Sequence, residues 1–440
     1  MPYDPLKSAG VTPDLPRPDS YWASMHTPAS YAPLDANIHT RFAVIGAGYT
    51  GLSAALELAE AGQEVTVIDA HEIGFGCAGR NGGFVLKGTG RYTLNAIANK
   101  WGEQIALGMR DEFNDAVSLL TSRIQRYGID CDLQPGPYLK IAHNQKSAIA
   151  LQAAQEINRS KFASDETFVS ASALQEHINI QHAFGGVIQP GLALNPLKLV
   201  DGYAKACHRL GVRIVTNTPV TNIANTGSGF ELHTNSYKVC AERLVIASNA
   251  YTPKMFHPCV DKRQFPVQSS IIVTAPLSKA QRNATGLTRP MMMMDTRMMK
   301  YYYRMLPDGR LLFGGRGSVS AGVRGDASSR RRLEQAMVAS FPALRDIKTD
   351  YFWNGWVSVS LDNLPRIMTD SNHKTGYAMG YCGSGVSFAA LAGKRLAQRM
   401  LGESVDTRLP LYQDGLPIYP FAGMRRMALR ALYAWAKLAE

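Results

Sequence analysis

The stretch Val44-Ile45-Gly46-Ala47-Gly48-Tyr49-Thr50-Gly51-Leu52-Ser53, followed by Asp69, decides the fold. Arg41 to Ile45 reads as a strand, Gly46 to Gly51 as a G-x-G-x-x-G turn, and Leu52 to Ala61 as a helix stopped by Gly62. Glu64 to Ile68 reads as a second strand ending at Asp69, which completes a β-α-β unit. Gly46 permits the tight turn, Gly48 lets backbone approach a pyrophosphate, and Gly51 lets helix and strand pack closely. The helix N-terminus, with Tyr49 and Thr50, turns free N–H groups and a positive dipole end toward phosphates. Asp69 lies 21 residues beyond Gly48, beside Ala70, where a carboxylate accepts hydrogen bonds from both ribose hydroxyls. The motif alone does not separate FAD from NAD.

Three later features favour FAD. Arg80-Asn81-Gly82-Gly83 follows the acid closely; such bare backbone can lie against a flat ring system, and Arg80 can offset cofactor charge. Asn217 to Val220 follows a strand and can set Val220 against an adenine. Gly383-Ser384-Gly385-Val386 opens a helix near the C-terminus, whose amides can stabilise negative charge on a reduced flavin. An NAD-dependent dehydrogenase needs no such return to the cofactor, yet it remains the competing reading.

The expected class is α/β (α+β), with a discontinuous Rossmann-like FAD-binding domain and a strand-rich substrate domain. Residues 1–38 read as an N-terminal arm. Residues 39–90, 195–255 and 351–402 are expected in the FAD domain, 91–194 and 256–350 in the substrate domain, and 403–440 as a tail.

Across 440 residues the composition is globular, 45% hydrophobic and 19% charged. The formal net charge of +12 fits an anionic ligand or an anionic surface. No zinc-finger or RNA-binding signature is present, so no nucleic-acid partner is expected. The six cysteines are scattered, with no C-x-x-C pair. That argues against a disulfide framework or a metal site, and fits a reducing cytoplasmic setting. Neither a secretory signal nor an apolar run long enough to span a membrane is read.

The chain resembles the D-amino-acid-oxidase-like superfamily of FAD-dependent oxidoreductases, in particular the branch holding γ-glutamylputrescine oxidase and L-pipecolate oxidase. The resemblance rests on residues 44–53, on Ile73 to Gly83, on Ser248-Asn249-Ala250-Tyr251, on Tyr302-Tyr303-Arg304 with Leu311 to Gly315, and on Gly380 to Val386. It implies FAD on a discontinuous Rossmann domain, a substrate domain with a large mixed β-sheet over the flavin ring, and oxidation of an amine or secondary amino acid to an imine that water hydrolyses. Some relatives tether flavin through a cysteine in a late segment that here reads Trp353 to Ser358, so non-covalent FAD is expected. Ser384 stands where the family usually has His, and Ser387 where sarcosine-type relatives have a carboxylate-binding Lys.

Hydride transfer to a flavin asks the protein mainly to orient the amine and exclude water. Lys300, Tyr302, Arg304 and Arg316 are the expected substrate contacts, with Trp353 and Trp356 as walls. From Met424 the tail reads as an amphipathic helix: Met424, Met427, Ala428, Ala431, Leu432, Trp435 and Leu438 on one face, Arg425, Arg426, Arg430 and Lys437 opposite. Two readings stay open. The helix docks on the protein body, or it lies peripherally on the inner face of the cell membrane, where electrons pass to a quinone. A non-catalytic, membrane-associated flavoprotein is a further alternative.

Overall fold

The structure is a computed structural model that describes residues 3–439, with side chains to 436. Two sheets organise it. In the first, eight-stranded sheet the main path runs Arg366–Thr369, Thr375–Met379, Lys238–Ile246, Ile38–Ile45, Val65–Ile68, Arg213–Val215. Its four central pairings are parallel. Phe42, Ala43, Val44 and Ile45 are all buried, as expected of a parallel strand covered on both faces. The expected hairpin at 229–247 is present as Phe230–His233 paired antiparallel with Lys238–Ile246. The helix Tyr49–Glu60 begins three residues earlier than its apolar periodicity suggests. It packs against both Gly385–Met400 and Pro196–Arg209. Asn195 caps the latter through hydrogen bonds from the N–H groups of Leu197 and Lys198.

The second, nine-stranded sheet is mixed. Its path runs Thr349–Val359, Phe265–Pro276, Arg310–Arg316, Tyr302–Met305, Met292–Asp295, Gln134–Ile141, Gly186–Ala193, Phe84–Val85. Two segment boundaries differ from expectation. Thr349–Val359 hydrogen-bonds along Phe265–Pro276, so most of a strand placed in the FAD domain belongs to the second sheet. Helix Glu103–Tyr127, placed in the substrate domain, packs on Gly385–Met400, with Phe113 stacked on Phe388 at 4.3 Å. The run of methionines alternates: Met291 and Met293 enter the core, while Met294 reaches the cavity described below.

The arm holds helix Tyr21–Met25 and is tied down by Tyr3 stacked on Tyr251 and by the Trp22 indole donating to Asn81 O. The C-terminal helix Arg425–Ala439 docks, but not as its pattern suggests. Leu429 and Ala436 are its buried apolar residues. Arg425 donates to Gln264 O, and Arg426 pairs with buried Asp4. These two arginines, expected on the outward polar face, lie on the docked side, where acceptors of the protein body take hydrogen bonds from them. Met424, Met427, Leu432 and Trp435 point out. The side chains of Lys437 and Leu438 lie outside the described residues. Among the described residues no helix is long and apolar enough to cross a membrane.

Candidate active site

One cavity of about 930 Å³ joins the two sheets. Gly46, Gly48, Tyr49, Thr50, Asp69, Ala70 and Val220 line its nucleotide end, and Arg80, Asn81 and Gly82 follow. Gly383, Ser384, Gly385 and Val386 close the other side, where Lys300, Tyr302 and Arg316 of the second sheet meet them. The early crossover and the late glycine turn thus meet around one space.

The local geometry explains each part. A Cβ on Gly51 would sit 1.9 Å from Gly46 O, so this glycine serves the turn rather than the cavity, which it does not line. The Asp69 carboxylate accepts from the N–H groups of Ala47 at 2.7 Å and His71 at 3.0 Å. Burial nevertheless pushes its pKa up to about 6. Lone pairs remain on both oxygens for ribose hydroxyls. The Tyr49 hydroxyl lies within reach of Ala78 O and Pro196 O, and Thr50 Oγ1 is 2.6 Å from the Tyr381 hydroxyl. These two side chains brace the turn. Asn217, at φ +51, turns the chain so that Thr218 to Val220 reach the cavity.

Arg80 is half-buried, donates to Phe75 O at 2.5 Å and Asn354 O at 3.3 Å, and lies over the Phe75 ring. Asn81 spends its side chain inside the loop, donating to Cys77 O and Ala78 O and accepting from Gly83 N–H. Gly83, at φ +71, does not line the cavity; a Cβ there would meet Leu194 O at 2.0 Å. At the late turn, the first intrahelical bond runs from Phe388 N–H to Ser384 O, so the N–H groups of Gly385 to Ser387 have no partner within the helix. Ser387 Oγ accepts from Leu86 N–H at 2.8 Å, which ties this helix start to the early glycine loop.

Tyr302 presents a phenol 3.0 Å from Ser269 Oγ, kept neutral by burial, its pKa raised to about 12. Lys300 is held down to about 8 by burial and by neighbouring Lys140, Arg91 and Arg316. Arg304 is a correction: it does not line the cavity. Its guanidinium donates to Gly82 O at 2.9 Å, Leu194 O at 2.7 Å and Gln134 Oε1 at 3.3 Å. It locks the early loop to the second sheet. Trp353 and Trp356 are not walls either. Their indoles donate to Arg80 O and Tyr3 O, while Gly355, Val357 and Ser358 line the space. Sequence reasoning missed Lys140, Arg91 and Ser269, and the arm residues Ala9 to Thr12. The alternation Tyr138-Leu139-Lys140-Ile141 carried a signal for Lys140, because Leu139 and Ile141 are buried in core while Tyr138 and Lys140 line the cavity.

Residues 41–399 match the family model described as FAD dependent oxidoreductase, DAO. Gamma-glutamylputrescine oxidoreductase of Escherichia coli is 32% identical over 410 residues, 92% of this chain and 93% of that protein. A probable oxidoreductase, OrdL, of Haemophilus influenzae is 31% identical over 414 residues, 92% of each chain. Glycine oxidase from Geobacillus kaustophilus shares the fold, with a TM-score of 0.73 at 18% identity, covering 87% of this chain and 99% of that one. The glycine-lined cavity, its buried acid and the late helix start fit FAD, and the NAD reading falls away. The chain belongs to the DAO family of FAD-dependent oxidoreductases.

Proposed function

We propose that this enzyme oxidises a C–N bond of an amine or secondary amino acid to an imine, with γ-glutamylputrescine-type and L-pipecolate-type compounds as the leading substrates. The observation that carries the reading is that the residues expected to hold the cofactor and those facing the substrate line one continuous cavity. FAD, when bound, supplies the hydride acceptor at N5. The protein's contribution is electrostatic and steric. Lys140, Lys300, Arg91 and Arg316 line the same space, and among the described residues none is in a salt bridge. Such a field disfavours an ammonium ion and so favours the neutral amine that can lose hydride. The Tyr302 phenol and Ser269 hydroxyl offer neutral hydrogen-bonding partners at the cavity wall. The N–H groups that start helix Gly385–Met400 would stabilise negative charge on bound, reduced FAD, and the Arg80 cation lines the same cavity.

Val357 and Ser358 stand in the late segment where relatives place a tethering cysteine, which supports FAD held without a covalent bond. Steady-state assays with an artificial electron acceptor over γ-glutamylputrescine, L-pipecolate, L-proline, sarcosine and glycine test the reading. Turnover confined to one amine class supports it, and no turnover with any amine refutes it.

The outward face of the C-terminal helix supports a peripheral contact with an anionic lipid surface. Phe421 is 82% exposed, Met427 60% and Trp435 56%, beside exposed Arg430, on a chain of net charge +12. A membrane quinone then serves as electron acceptor. Because Arg425, Arg426, Leu429 and Ala436 anchor this helix, point variants are cleaner than deletion of 420–440. Wild type should sediment with phosphatidylglycerol vesicles and Met427→Ser/Trp435→Ser should not. Equal sedimentation of both excludes the contact.

A further inference from the structure

Between Asp4 and Leu15 the arm crosses the cavity as a single layer of chain. Ala9, Gly10, Val11 and Thr12 line the cavity, and a Cβ on Gly10 would stand 3.5 Å from Cγ of Pro253, which lines it too. Pro13 and Asp14, beside them, are exposed and do not line it. Upstream the crossing is fixed to the second sheet. The Tyr3 ring stacks on Tyr251 at 5.6 Å, and Tyr3 O accepts from the Trp356 indole at 3.2 Å. Downstream it is fixed beside the first sheet. Leu15 O lies 2.8 Å from His71 Nε2, and Arg17 donates to Ile73 O at 3.1 Å and pairs with Glu72 at 2.5 Å. His71 N–H is itself bonded to the Asp69 carboxylate, so this anchor stands beside the acid expected to hold the ribose. Among the described residues, no hydrogen bond joins residues 5–14 to the protein body.

We propose that residues 5–14 form a strap that gates exchange of FAD, and that the ion pair of Asp4 with Arg426 is its latch. The inference rests on FAD binding alone and not on which amine is oxidised. The Asp4 carboxylate is buried and accepts from Leu6 N–H at 3.0 Å, Ala321 N–H at 3.3 Å and the Arg426 guanidinium. Arg426 donates further to Val319 O at 3.2 Å, and its cation lies over the Trp356 ring. One carboxylate thereby joins the arm, the loop after Arg310–Arg316 and the C-terminal helix. Removing one partner of such a buried pair leaves the other charge uncompensated, so the contact is either made or lost. The strap itself holds on weakly. Pro5 and Val11 are its buried residues, and little apolar contact means a segment that opens easily once an anchor yields. The downstream anchor is backed by helix Tyr21–Met25 and the Trp22 indole on Asn81 O, so the upstream anchor releases first. Cofactor enters or leaves when the strap lifts, and the latch sets the rate in both directions.

Asp4→Asn and Arg426→Gln test the latch, with FAD uptake by the apoprotein followed by flavin fluorescence and release from the holoenzyme followed after dilution. Opening a gate speeds passage both ways, whereas losing a contact to the cofactor speeds release alone. Each variant should raise both rates at least about tenfold. The double variant should raise them no further, because the same single contact has been lost. Wild-type rates in both variants, or faster release with unchanged uptake, overturn the gate. Limited trypsin digestion of the unaltered enzyme gives a readout that does not depend on how a variant folds. Lys7 is the one basic residue within the strap. Cleavage after Lys7, scored by mass, should slow when FAD saturates the protein, and cleavage equally fast with and without FAD also overturns the gate.

Discussion

Replacing Gly48 and Gly51 by alanine, one at a time, separates what the glycine turn does for the protein from what it does for the cofactor. At Gly51 a Cβ would stand 1.9 Å from Gly46 O, 3.1 Å from Gly46 C and 3.2 Å from Val44 Cγ1. The clash is with backbone, so the turn must shift, and overpacking of this kind costs about 1–3 kcal/mol. At Gly48 the nearest atom to a Cβ is Ala78 Cβ at 4.0 Å, and the backbone sits at φ −87, which alanine adopts freely. The new methyl group therefore meets nothing in the protein, but it enters the space reserved for the pyrophosphate. Gly51→Ala should lower the melting temperature of the apoprotein by several degrees. Gly48→Ala should leave the apoprotein melt unchanged while weakening FAD at least about tenfold, or about 1.4 kcal/mol. The assay is a thermal melt of each apoprotein, then FAD titration by flavin fluorescence. Wild-type FAD affinity in Gly48→Ala, or a wild-type apoprotein melt in Gly51→Ala, would refute the reasoning.

Arg304→Met removes donors from Gly82 O and Leu194 O, each buried acceptor left unsatisfied costing about 1–3 kcal/mol. Melts should fall while KM per folded, flavin-loaded molecule stays near wild type; a selective rise in KM would return Arg304 to the substrate site. Asp69 has its pKa raised to about 6 by burial, against about 3.9 unfolded. The folded state thus binds more protons between those values, so apoprotein stability falls as pH rises through that window. FAD affinity moves the other way, weakening below about pH 6 as the ribose acceptor is protonated, and Asp69→Asn should flatten both profiles when they are measured between pH 5 and 8. Acid precipitation should leave the yellow chromophore in the supernatant, whereas colour retained in the pellet would mean a covalent tether.

The nucleotide half was legible because its signals are local. Residues 41 to 69 carry a strand, a turn and a helix in uninterrupted order, and Gly385 marks its helix start within one residue. What failed depends on long-range partners. Arg304, two residues beyond Tyr302, shares its face of the strand and so looks like a substrate contact, but Gly82 O and Leu194 O, acceptors remote in sequence, take its guanidinium away from the cavity. Trp353 and Trp356 look like walls because their strand does border the cavity through Gly355, Val357 and Ser358, but the two indoles are drawn away to Arg80 O and Tyr3 O, acceptors remote in sequence. Lys140 and Arg91 went unseen because the first is separated in sequence by some 160 residues from its partner Lys300, and the second sits in a loop with no periodicity. In the tail the expected helix forms, but the direction of its faces is set by Asp4 and Gln264 O, acceptors no helical wheel contains.

The most direct measurement is an anaerobic titration of the purified yellow enzyme with its amine substrate, following the flavin band near ~450 nm. The account predicts stoichiometric bleaching, with one C–N bond converted per flavin reduced: a carbonyl product plus free amine or ammonia from an open-chain substrate, or one ring-opened amino-carbonyl compound from a cyclic one. A band that stays unbleached through the whole amine panel, in enzyme that dithionite still reduces, would contradict it.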